Sequence, residues 1–216
     1  MDSPTDELRA AHDVLAAFYV EHLAGMLERM PVERAVLDLF AELTLAAGLG
    51  AEVGDVGCGT GRLAPYLASK GLTPRGVDLS AEMVRVARRD HPGFSFEVAD
   101  LRALPFPDGS LAGVVCWYSL LFLAPEDRAV AFGELARVVR PGGYFVTAYK
   151  TGDGTHRRAG RAVGVEFDAY WLSPAEMRQR VEDAGFHTVF WAGRPPEEEG
   201  ETTPQGYLVA RRSDQG

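Results

Sequence analysis

The chain has 216 residues, 46% of them hydrophobic, and sets 22 basic against 31 acidic side chains for a net charge of −9. That length and composition suit one well-cored globular domain and exclude a disordered or fibrous chain. The acidic balance argues against a protein that tracks nucleic-acid phosphates, and no apolar run approaches the length of a membrane span.

The start of the chain, Met1 to Glu7, is acidic and lacks the basic and apolar regions of a signal peptide, so a cytoplasmic location is expected. Leu8, Ala11, Leu15, Phe18, Tyr19, His22, Leu23 and Met26 recur at helical spacing and predict a helix over 8–29. Beyond Pro31 a second helix is expected over 32–47, ended by Gly48-Leu49-Gly50. The two are either a packed cap or a lid over a site.

Val53 opens a short apolar strand that runs into Asp55-Val56-Gly57-Cys58-Gly59-Thr60-Gly61-Arg62-Leu63, with a helix predicted over 63–68. Glycines let the backbone turn tightly and approach a ligand where a Cβ would collide. The helix start behind them favours the polar, often anionic end of a ligand. Asp55 adds a fixed negative group that suits a ligand ammonium. The loop departs from the dinucleotide fingerprint G-x-G-x-x-G/A, which needs a small residue where this chain has Arg62.

Strands and helices then alternate. Thr73–Asp78 reads as a strand ending in an acid, and Ser80 caps a helix running to Arg89. Phe94–Val98 is a strand followed by Asp100-Leu101, and Leu111–Trp117 is apolar throughout, as a strand covered on both faces should be. A helix over 125–139 leads through Arg140-Pro141-Gly142-Gly143 to a strand at Tyr144–Tyr149. Lys150 to Leu172 reads mostly as loop, with a short strand at Val163–Phe167; a loop that long is functional rather than idle. Ser173 caps a helix to Ala184, and the strands Phe186–Ala192 and Gly206–Arg211 close the chain. Cys58 and Cys116 are read as free buried thiols, and no metal site is expected from two cysteines.

This alternation predicts an α/β, Rossmann-like, doubly wound and mostly parallel sheet, closed by an antiparallel strand and preceded by capping helices. One domain is expected, with a helical cap over 1–50, a ligand-binding core over 51–149, and a substrate-side loop with terminal strands over 150–216. Ligands of such sheets sit beyond the carboxyl ends of the strands. The glycine loop, Asp78, Asp100 and Trp117 all lie at such ends and are therefore expected to share one pocket.

Val53–Gly61, Asp78, Asp100-Leu101 and Arg137-Val138-Val139-Arg140-Pro141-Gly142-Gly143 together resemble the successive motifs of the small class I S-adenosylmethionine (SAM)-dependent methyltransferases. The ordered set covers most of the chain. The resemblance implies a seven-stranded sheet, SAM as cofactor, and methyl transfer to an acceptor. It further implies that Asp78 accepts hydrogen bonds from both ribose hydroxyls, that Asp100 bonds the adenine amine, and that Leu101 offers its backbone N–H. Leu79 and Met83 would pack on the adenine ring. Gly57, Gly59 and the backbone around Asp55 would line the methionine end, with Cys58, Gly61, Arg62 and Leu63 from the same loop. The plainer alternatives are a helix-dipole partner for Asp78 and ordinary helix core for Met83.

Enzymes of that fold acting on nucleic-acid amines often carry Asn/Asp-Pro-Pro-Tyr where this chain has Trp117-Tyr118-Ser119. A small-molecule acceptor is therefore expected, with no nucleic-acid or membrane partner; the oligomeric state is not legible. The Trp-Tyr pair packs either on the methionine part of SAM or on an apolar substrate. A sulfonium methyl is already activated, so a base is needed only for a hydroxyl or a protonated amine. The candidates are His156, Tyr149, and Tyr19 or His22, with His156 favoured because histidine titrates near working pH. Tyr19 is alternatively a contact of the methionine carboxylate. The competing functions are a SAM-binding fold relative with non-methylating chemistry, a non-catalytic nucleotide-binding protein, and a dehydrogenase.

Overall fold

In a computed structural model, which describes residues 3–197 and 201–214, the first helix, α1, spans Pro4–Leu23. It begins earlier than the hydrophobic period suggests because Ser3 and Asp6 form a capping box over its first turn. Gly25, at φ 61°, breaks it from a single turn, α2 (Met26–Arg29). Pro31 then starts α3 (Pro31–Ala46) at the position where proline's missing N–H costs nothing.

The alternating part comprises β1 (Glu52–Val56), α4 (Ala64–Ser69), β2 (Thr73–Asp78), α5 (Ala81–Asp90), β3 (Ser95–Val98), β4 (Leu111–Trp117), α6 (Arg128–Val138) and β5 (Val139–Lys150). A hairpin, β6 (His156–Ala159) and β7 (Phe167–Tyr170), follows, then α7 (Pro174–Asp183), β8 (Phe186–Arg194) and β9 (Gln205–Arg212). The seven-stranded sheet runs β3-β2-β1-β4-β5-β9-β8, with β9 antiparallel to both neighbours. The order reverses between β1 and β4, which opens the crevice used by ligands in doubly wound sheets. None of the described helices is long and apolar enough to cross a membrane.

The all-apolar strands are explained by two cores. Val114, Cys116, Phe145, Tyr149 and Leu208 face α6 and α7 through Phe132, Leu135, Met177 and Val181. Their sequence neighbours Val115, Trp117, Val146, Ala148, Tyr207 and Val209 face α3 and α4 through Leu37, Phe40 and Leu67. Each strand residue is buried on one face or the other, so alternation disappears from the sequence. Cys58 and Cys116 are both free and buried.

The expected strand at Val163–Phe167 is corrected. Val163 lies in a 3-10 turn, and the pairing strands flank it, with His156 opposite Tyr170 and Ala159 opposite Phe167. Gly160 and Gly164, both at positive φ, bend the chain between them.

α1 crosses the carboxyl ends of the strands and is latched to α5. Asp13 accepts from Ser80 Oγ at 2.5 Å and from Glu82 N at 3.1 Å. Ser80 itself caps α5 by accepting from Met83 N at 3.0 Å. Asp13→Ala is expected to lower stability by about 1–2 kcal/mol, because it strips two donors of their partner. Urea unfolding checks this; a loss below about 0.5 kcal/mol would mean that the latch is dispensable.

Candidate functional site

The glycine loop is shaped by packing beneath it. Gly57, at φ 74°, has no room for a side chain, since a Cβ there would lie 2.3 Å from Ser119 Cβ. Gly61, at φ 77°, is closed off by the Phe96 ring, 2.7 Å from where its Cβ would sit. Gly59 faces open space. The loop's amides are largely consumed within the protein. Gly57 and Cys58 donate to Val77 O at 2.8 and 3.0 Å, Gly61 donates to Cys58 O at 3.0 Å, and Gly59 donates to Asp78 Oδ2 at 2.8 Å. The loop therefore supplies clearance, not the cradle of free N–H groups expected from its sequence. Polar recognition falls to side chains.

Asp55 is the most exposed to that demand. Its carboxylate is buried, and neither oxygen has a partner among the described residues. Burial pushes its pKa up to about 7, against the pull of the nearby Arg62 guanidinium and with help from Asp78. Arg62 has an unpartnered buried nitrogen, Nη1, of its own. A buried acid and a buried cationic nitrogen, each lacking a bond, together fit a zwitterion. Asp78, one strand over, accepts from Gly59 N and, at 2.9 Å, from Ser80 N. Burial nevertheless raises its pKa above the ordinary carboxylate range.

These groups open into one cavity of about 560 Å³ that runs along the strand ends beneath α1 and the β6–β7 hairpin. At its β3 end, Asp100 is gripped by Arg102, whose Nη2 lies 2.6 Å from Oδ2 while its backbone N and Nε reach Oδ1. Burial pushes Asp100 up, but these bonds outweigh it and hold the carboxyl below its usual range. At the other end stands Glu33, buried, accepting from Tyr118 Oη at 2.8 Å, Trp117 Nε1 at 3.2 Å and Tyr207 Oη at 3.3 Å. Among the described residues Tyr118 is the non-glycine residue at positive φ, 56°, a strained conformation of the kind that collects at working sites.

The family described as "Methyltransferase domain" matches residues 53–143, the stretch from β1 through the Pro141-Gly142-Gly143 turn. Residues 53–143 therefore belong to that methyltransferase family, as their ordered motifs imply. The chain is 32% identical to the demethylmenaquinone methyltransferase of Renibacterium salmoninarum, over 68% of this chain and 60% of that protein. It is 35% identical to the malonyl-[acyl-carrier protein] O-methyltransferase of Pectobacterium atrosepticum, over 51% of this chain and 47% of that one. The chain thus spans about half the length of the curated relatives it matches. A solved SAM-dependent methyltransferase from Methanosarcina mazei shares the fold with a TM-score of 0.68 at 22% identity, over 76% of this chain and 93% of that one.

The cavity is lined by Tyr19, Asp55, Gly57, Cys58, Gly59, Arg62, Leu63, Asp78, Leu79, Met83, Asp100, Leu101, Trp117, Tyr118 and Ser119. Gly61 does not line it, because its side is filled by Phe96. Met83 does both jobs, lining the cavity while packing on Ala11, Leu15 and Phe167. Three expected bases lie elsewhere, among them His22, exposed on α1 with its Nδ1 3.0 Å from Phe18 O. His156 is half-exposed on β6, its Nε2 2.7 Å from Asp168 Oδ1, outside the cavity. Tyr149 is buried within the sheet's α6–α7 face and accepts from Trp191 Nε1 at 3.2 Å, also outside the cavity. A strand-end residue faces one side or the other, and register put Tyr149 on the far side.

Sequence reasoning missed His12, Glu33 and Lys150, which all line the cavity. His12 Nδ1 bonds Leu8 O at 2.9 Å and so carries the proton, leaving Nε2 as an acceptor. Its ring sits among Phe122, Phe167 and Tyr19, and burial lowers its pKa. Seven-residue spacing between His12 and Tyr19 was a usable signal, since it places both on one helix face. Burial raises the Tyr19 pKa and keeps the phenol protonated.

Proposed function

We propose that this chain binds SAM across the mouths of β1 to β4 and transfers its methyl group to a small-molecule acceptor. The observation that carries this is the unpartnered pair at the glycine loop. Asp55 would take the α-ammonium, and Arg62, with Tyr19 beside it, would take the α-carboxylate. A nicotinamide dinucleotide offers no ammonium to satisfy Asp55. Asp78 would accept from the ribose hydroxyls with the lone pairs left over after Gly59 and Ser80, while Leu79, Met83 and Leu101 would bound the adenine. Asp100, fixed by Arg102, presents a carboxylate whose orientation is already set.

SAM supplies a methyl group already activated by its sulfonium, so the protein's contribution is alignment and exclusion of water. α1, pinned through Asp13, and the β6–β7 hairpin supply that cover. The hairpin and α1 are themselves joined by Arg158 Nη1, 3.1 Å from Glu7 Oε2. The relatives named for demethylmenaquinone and for malonyl-[acyl-carrier protein] support an acceptor other than nucleic acid.

Titration calorimetry with SAM and with NAD tests the pocket, and product mass after incubation with SAM and acceptors tests the chemistry. Binding of NAD without SAM would overturn the proposal. Asp78→Ala is expected to weaken SAM by about 1–3 kcal/mol, the worth of hydrogen bonds to a charged group. An unchanged affinity would reduce Asp78 to a cap for Ser80 and Gly59.

A further inference from the structure

The cavity does not end at the glycine loop. It continues over β4, β5 and β9, where Trp117, Lys150 and Gln205 line it under Met30 and Trp171. Glu33, Glu201 and Lys150 are among the charged side chains that line the cavity. Both acids are occupied. Glu33 takes hydrogen bonds from Trp117, Tyr118 and Tyr207. Glu201 takes both Arg194 Nη1 and Nη2, at 2.6 and 2.7 Å. Lys150 is not occupied in that way: among the described residues its contact is the face of Trp171, 5.4 Å from Nζ to the ring centre, and it makes no ion pair.

Its backbone is held firmly. Leu172 N donates to Lys150 O at 2.8 Å, and Lys150 pairs with Gln205 in the β5–β9 ladder. A partly buried ammonium that has no counter-charge among the described residues, on a cavity wall whose two carboxylates are already taken by other donors, selects an anion attached to an apolar body. Of the residues expected to act as bases, His156, Tyr149 and His22 lie outside the cavity, and Tyr19 lines it. A nucleophile that arrives ionised needs no base.

Resting on the methyltransferase reading above, we propose that the acceptor is a small carboxylate with an apolar body, held by Lys150, and that the product is its methyl ester. One carboxylate oxygen provides the electron pair for the new C–O bond. The C–S bond breaks, and its pair stays on sulfur. Sulfonium and carboxylate become a neutral thioether and a neutral ester, and no proton moves.

The test incubates the chain with SAM and either octanoate or phenylacetate, with octanamide and phenylacetamide as neutral matches. Methyl esters are expected from the acids and nothing from the amides. Lys150→Met should raise the KM of the acid at least about tenfold while SAM affinity by calorimetry stays unchanged, and Lys150→Arg should restore most of the loss. Calorimetry of octanoate against the complex with S-adenosylhomocysteine should show the same loss in Lys150→Met. Esters absent despite normal SAM binding, equal methylation of the amides, or an unchanged KM in Lys150→Met would each overturn the carboxylate assignment alone. Failure to bind SAM at all would overturn it together with the reading it rests on.

Discussion

Asp55→Asn is expected to make the unliganded protein more stable at pH 8 and to cripple SAM binding. The reason is the same in both cases: the wild-type carboxylate is buried with no partner among the described residues, at a pKa of about 7 against the ordinary 3.8. Below about pH 4 both folded and unfolded chains hold the proton, and the group costs nothing. Between about pH 4 and pH 7 the unfolded chain has released its proton and the folded chain has not, so stability falls as pH rises. Above about pH 7 the penalty levels off near 4 kcal/mol, at about 1.4 kcal/mol for each unit of displacement. An asparagine never ionises and escapes that penalty, though its buried amide still wants partners. A net gain of about 2 kcal/mol at pH 8, shrinking to nothing near pH 4, is the expected result in urea unfolding. SAM affinity should fall by roughly thirtyfold or more, since the ammonium loses a charged partner in a dry site. In the wild type, that affinity should rise with pH through about 7 and then flatten. An asparagine variant that binds SAM normally, with no gain in stability at pH 8, would remove Asp55 from the ligand site.

Gly57→Ala should be among the most damaging single methyl additions in the chain. Two costs combine there. The left-handed φ of 74° costs an alanine about 1–2 kcal/mol. The new Cβ would also sit 2.3 Å from Ser119 Cβ and 2.9 Å from its Oγ, and relieving such an overlap costs about 1–3 kcal/mol. Relief must come from moving the loop, which breaks the bonds from Gly57 and Cys58 to Val77 O and shifts Asp55's neighbours. A loss of about 3 kcal/mol and of measurable SAM binding is expected. Ser119→Gly in the same chain removes the overlap but not the φ penalty, and also gives up the Ser119 Oγ bond to Val56 O. The pair should therefore recover part of the stability and not all of it, a coupling that a double-mutant cycle reads directly. Full tolerance of Gly57→Ala would show that the loop is not packed as described.

Both predictions start from residues that stand out in the bare sequence. Asp55 and the alternating glycines are visible there because spacing along one strand–loop–helix unit is local information. The order of strands is visible for a related reason: period, caps and apolar runs report each element separately, and right-handed crossovers leave few ways to assemble them. What spacing cannot report is which side of an element faces which neighbour at long range. The glycine loop's amides look free in sequence; only the approach of β2 shows that Val77 O and Asp78 consume them. His156 looks close to the site because it follows β5, yet the hairpin turns it outward onto Asp168. Glu33 looks like a surface charge on an amphipathic helix until α3 docks and three donors close on it, Trp117 from β4, Tyr118 just beyond it and Tyr207 from β9.

Local spacing carried the strand–helix alternation and the methyltransferase motifs of residues 53–143, because period, caps and glycine spacing are each read within one element or loop. Only the assembled fold shows that Asp55 lacks a partner among the described residues, that Tyr149 faces the α6–α7 core, and that Lys150 makes no ion pair among them. Those outcomes depend on burial and on groups brought in from other elements, and a buried charge acquires its meaning only from what surrounds it.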